Sequence, residues 1–130
     1  MTEIWNTVER LHAWLDAAAD RAPEQETLLR VLKLSEEVGE VAQAVIGATG
    51  QNPRKGVTHT WQDVESELCD VIVTAMVALR TLNPGAPLVF ENHLRGLAAR
   101  ASGPEGVPAP ANELRASDTS GTPRQGRTSP

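Results

Sequence analysis

Cysteine is almost missing from this sequence. Cys69 stands alone, which excludes an internal disulfide and fits a reducing, cytoplasmic setting. No apolar run approaches the roughly 20 residues needed to span a bilayer, so no membrane partner is expected. The first residues mix acids and polar groups with apolar ones, which does not read as a signal peptide. Strand-like alternation and internal repeats are lacking. So are a P-loop, a Gly-rich dinucleotide fingerprint and a Cys/His zinc pattern. Bases are scarce in the middle of the chain. Between Glu36 and Asp70 there are seven acids against only Arg54 and Lys55, a local charge of −5 that equals the net charge of the whole chain. Such a surface repels nucleic acid and suits a cation.

What is present reads as four helices, an all-α class. The first runs from about Glu3 to Ala19, with Ile4, Val8, Leu11, Leu15 and Ala18 on one stripe. Pro23 starts the second, Glu24 and Glu26 suit its first turn, and it runs to about Ala48. Leu34, Val38, Val41 and Val45 mark its expected buried face, and Gly47 and Gly50 punctuate its end. After a polar loop, Thr60 and Asp63 form a capping-box pattern before a third helix from Trp61 to Leu82. From Val71 to Leu79 that helix has Thr74 as its only polar side chain. A helix apolar on every side must be covered on every side, which predicts a homo-oligomer. A fourth helix begins near Pro87 and fades near Ala101. Residues 1–101 are thus expected to form one bundle-like domain. Residues 102–130 are rich in Pro, Gly, Ser and Thr and too poor in apolar groups to offset ordering entropy, which predicts a disordered tail. Deleting it is expected to leave assembly and activity intact.

Chemistry concentrates on the second and third helices. Glu36-Glu37-Val38-Gly39-Glu40 lies on one, Glu67-Leu68-Cys69-Asp70 on the other. Residues three apart project about 60° from each other, so Glu37 pairs with Glu40, and Glu67 with Asp70. A single such pair usually lies on a solvated helix face. Two like-charged pairs on consecutive helices, each beside an apolar stripe, are costly unless a cation relieves them. Antiparallel packing would bring all four carboxylates together, and oxygen donors suit magnesium or manganese.

The segment KLSEEVGEVAQAV, followed by ELCDVIV with 26 residues between Glu40 and Glu67, resembles the MazG-type all-α nucleoside triphosphate pyrophosphohydrolases. Their pattern is EExxE, a spacer, then ExxD, and the resemblance covers about Leu28 to Leu82. It implies Glu37, Glu40, Glu67 and Asp70 as metal ligands, with Glu36 as a nearby carboxylate that orients water or helps a further metal ion. It implies magnesium, with manganese as a substitute, and a homodimer or homotetramer built through these helices. The implied reaction is attack of water on the α-phosphorus of a nucleoside triphosphate, with pyrophosphate leaving. The region after Asn83 departs from the family's basic final helix, carrying only Arg95 and Arg100 as Lys or Arg before the tail.

Other residues carry two readings each. Lys33, one turn before Glu37, can reach a phosphate or serve as an i,i+4 ion-pair partner. Lys55 and Arg54 sit on the loop between the acid pairs, where they can close over phosphates or simply solvate the loop. Trp61 can stack on a base, whereas Trp5 and Trp14 read as packing anchors. Arg80 suits a helix end, and Cys69 a small core position. His12, His59 and His93 read as surface residues. Glu9 and His12 form one ExxH, but a diiron site needs two, and neither other histidine has a Glu three before it. The alternative to an enzyme is a catalytically silent helical module that binds nucleotide or a protein partner.

Overall fold

The computed structural model describes residues 2–103. They form four helices: α1 (Glu3–Ala18), α2 (Pro23–Thr49), α3 (Trp61–Leu82) and α4 (Ala86–Ala101). No strand occurs among the described residues, so the fold is all-α. The expected tail lies, beyond Gly103, outside them.

Local chemistry sets the boundaries. Pro23 opens α2 at a position whose N–H has no helical partner anyway. Gly50 closes α2 at φ 62°, the left-handed conformation glycine adopts without steric cost. At the start of α3 the Thr60 hydroxyl accepts from the Asp63 N–H at 3.2 Å. The Asp63 carboxylate accepts from the Thr60 N–H at 2.7 Å, completing the capping box.

α2 and α3 form an antiparallel hairpin and share the most extensive packing in the molecule. Contacts fix the direction: Gly47 meets Thr58 and His59, Glu37 lies beside Glu67 and Asp70, and Arg30 reaches Thr81. α1 packs on α3 through Trp5, Val8 and Val77, with Ala86 of α4 in the same cluster and Leu15, Met76 and Leu79 around them. The chain then bends by 117° into α4, whose Phe90 meets the edge of Trp5 at 6.0 Å between centroids. No single helix among the described residues is long and apolar enough to cross a membrane.

The buried face of α2 differs from the expected one. It consists of Arg30, Glu37, Ala44 and Gly47, whereas Val38 is exposed and Leu34, Val41 and Val45 are half-buried. α1 is also rotated from its expected stripe, burying Trp5 and Val8 but leaving Ile4 exposed. Trp14 is 67% exposed, so within one chain it anchors nothing. His59 is half-buried against Gly47 and His12 is half-buried beside Asp16, so neither is a plain surface residue. The apolar core is thin: of seven buried apolar residues, three are alanines (Ala44, Ala78, Ala86). Much larger side chains, including Leu28, Leu32, Ile46 and Ile72, face outward.

Candidate metal centre

The antiparallel hairpin brings one face of α2 onto one face of α3 at the level of the acid pairs. Glu37, Glu67 and Asp70 each offer a carboxylate oxygen, and these oxygens all lie within 4.8 Å of one another. Glu37 is buried, Glu67 half-buried and Asp70 exposed, so the cluster grades from the helix interface to solvent. Three hard oxygen donors at this separation can hold a divalent metal ion.

Glu40 stands beside the triad rather than in it. Loss of hydration raises its pKa above the ordinary 4.5, and the charges of Glu37 and Glu67 add to the effect. Glu36 is exposed and turned to the rim, where its carboxylate accepts from Lys33 at 3.1 Å. Lys33 also meets Glu37 at 2.8 Å. That ammonium holds the Glu37 carboxyl below its ordinary range against the opposing effect of burial, and Thr74 of α3 acts in the same direction. Glu37, and then Glu36, in turn raise the pKa of Lys33, which stays charged.

A cleft of about 330 Å³ opens next to this cluster, between α1, α2 and α3. Leu11, Trp14, Leu15, Leu29, Val73 and Val77 give it apolar walls, and Lys33 and Thr74 line it as well as touching Glu37. The sequence singled out Thr74 only as the polar residue in an apolar run, and read Trp14 as an anchor. No sequence signal marked the cleft, whose α1 wall includes Leu11 and Trp14, three residues apart and both exposed in the single chain.

The remaining sequence candidates lie elsewhere. Trp61 is exposed at the first turn of α3, nine residues and so about 13 Å along the axis from Asp70. Lys55 lines a separate crevice of about 270 Å³ with Gln43, Asn52 and His59, at the C-terminal end of α2, whereas Lys33 lies in its N-terminal half. Within one chain neither is brought to the triad. Arg80 pairs with Glu9 of α1, and His12 lies 3.4 Å from Asp16, which leaves the ExxH engaged in structure. Cys69 is exposed rather than in the core.

No family model, curated protein or solved structure matches this chain.

Proposed function

We propose that this chain is a MazG-like, metal-dependent nucleoside triphosphate pyrophosphohydrolase that converts (d)NTP and water into (d)NMP and pyrophosphate. The observation that carries the reading is the convergence of Glu37, Glu67 and Asp70 beside an apolar cleft with a lysine at its mouth. The sequence resemblance supplies the reaction class; the cluster and the cleft supply a place for each half of such a substrate.

Glu37, Glu67 and Asp70 would hold magnesium or manganese, with Glu40 as the adjacent fourth carboxylate. When bound, the metal neutralises phosphate charge and lowers the pKa of coordinated water. The carboxylates also set where a polyanion can approach, because without a cation they repel it. Glu36, at the rim, orients water toward the α-phosphorus, and a neighbouring carboxylate accepts the proton as the bond to pyrophosphate breaks. The apolar walls and Trp14 offer the nucleobase a dry face and a stacking surface. Lys55 and Trp61 belong to this reading only as contributions from another part of an assembly.

A homodimer or homotetramer completes it. Leu28 and Ile46 lie on the back of α2, since 18 residues at about 100° each return them to one side, opposite Glu37. Further copies of this chain would cover that back and the outward side of α3. The cytoplasm is the compartment that suits such an enzyme.

The test is a panel of NTPs and dNTPs with magnesium, assayed for pyrophosphate release. Release from at least one nucleotide, abolished by chelation, is the expected result. No release across the panel, with nucleotide still bound, would leave the silent helical module as the better description.

A further inference from the structure

We propose that Lys33 is a tethered counter-ion: it occupies the acidic centre until a divalent cation displaces it, and its freed ammonium then meets the triphosphate at the cleft mouth. This rests on the metal-centre reading above and concerns how that centre is filled.

Five carboxylates crowd this point: Glu36, Glu37, Glu40, Glu67 and Asp70. Among the described residues Lys33 is the only Lys, Arg or His within 4.0 Å of any of them. It reaches Glu37 at 2.8 Å and Glu36 at 3.1 Å. Glu37 is the buried member of the cluster, and a buried carboxylate without a partner is costly. The lysine therefore does in the empty protein what a cation does in the loaded one.

A divalent ion on Glu37, Glu67 and Asp70 changes this balance. Two cations on one carboxylate repel each other, and the Lys33 side chain is half exposed, so its ion pairs are weak and easily exchanged. Its flexible stem lets the ammonium move without disturbing the helix.

The place it moves to is already adjacent. Lys33 lines the 330 Å³ cleft together with Thr74. The other cations of that cleft are engaged: Arg30 with Asp16 at 2.8 Å, and Arg21 with Glu26 at 3.1 Å. Only the lysine is released by metal binding, so the metal makes a phosphate-binding charge available where none was free. Metal and triphosphate then favour each other's binding, and by linkage the effect is reciprocal.

The experiment compares wild type, Lys33→Met and Lys33→Arg. Manganese alone is titrated first, followed by a non-hydrolysable α,β-imido nucleoside triphosphate at saturating manganese. Lys33→Met should bind manganese about two- to fivefold more tightly than wild type, the equivalent of one half-exposed ion pair removed. The same variant should bind the analogue about tenfold more weakly, and Lys33→Arg should restore that binding. A purely structural lysine would not move the two affinities in opposite directions. Unchanged or weaker manganese binding by Lys33→Met overturns the counter-ion role, and unchanged analogue binding overturns the transfer to phosphate. If wild type itself binds no manganese at millimolar concentration, the metal-centre reading fails, and this inference with it.

Discussion

Arg30, in the second turn of α2, donates to the carboxylate of Asp16 on α1 at 2.8 Å. Its other terminal nitrogen donates to the Thr81 hydroxyl of α3 at 3.1 Å. One guanidinium thus ties three helices, and it is buried while Asp16 stays exposed. Arg30→Ala should destabilise the fold by about 2 kcal/mol, less than a fully buried pair would cost because water can re-solvate Asp16. Asp16→Ala should cost less than Arg30→Ala when both are followed by urea unfolding, because Thr81 and Glu26 remain as partners of the buried guanidinium.

Gly47 is required by close approach. A Cβ there would stand 2.1 Å from Nδ1 of His59 and 2.6 Å from Oγ1 of Thr58. The Thr58 N–H donates to the Gly47 carbonyl at 3.0 Å, which keeps the loop from backing away. Gly47→Ala should therefore unseat the loop at a cost of about 1–3 kcal/mol. Faster proteolysis between Gly50 and Thr60, together with a lower Tm, is the expected readout.

Glu40→Gln separates function from stability. Turnover should fall by about a hundredfold or more, because one negative charge leaves the centre. The metal-free variant should be as stable as wild type at pH 7, or more stable, since a like-charge repulsion is gone. The pH dependence has a definite sign. Folding raises the Glu40 pKa above 4.5, so its contribution is greatest below that value and is lost as pH rises through the folded-state pKa. Wild type should accordingly gain on Glu40→Gln as pH falls, and Tm measured from pH 7 to pH 4 reads the closing gap. Glu37 has the opposite sign, its contribution being lost as pH falls, but both proteins carry it. Wild-type turnover by Glu40→Gln would show that the metal-site assignment is wrong.

Leu32 is 63% exposed and Ile72 is 58% exposed in the single chain. Assembly through these surfaces implies that Leu32→Glu or Ile72→Glu shifts the protein toward monomer in sedimentation. Local packing should survive, because neither side chain supports the core of its own chain. A wild-type monomer at micromolar concentration would contradict the assembly.

Helix limits were legible to within about one residue, because Pro23, Gly50 and the Thr60–Asp63 box are local signals. The i,i+3 pairing of the acids was legible, but their meeting was only conditional on antiparallel packing, and of the four carboxylates expected together three converge, with Glu40 beside them. Which side of α2 faces α3 was not legible. Apolar residues occur nearly all round that helix, so periodicity could not choose a face. The side actually buried carries Arg30 and Glu37, whose charges are tolerated there because Asp16, Thr81 and Lys33 pair with them. The Arg30 pairings join positions 14 and 51 residues apart and leave no local pattern, unlike the i,i+4 contact of Lys33 with Glu37. The cleft was hidden for the same reason, since it exists only once α1 lies across the hairpin.

α1, α2 and α4 each pack principally on α3, and the pairing of α2 with α3 is the most extensive. Openings should therefore be graded. Amides of α4, whose side chains beyond Pro87 are all exposed, should exchange with solvent through local fraying. Those of α1 should follow when Trp5 and Val8 detach, and those around Val77 and Ala78 should wait for complete unfolding. The carboxylate cluster rides on the hairpin that separates last, so it stays assembled through every partial opening that releases an outer helix.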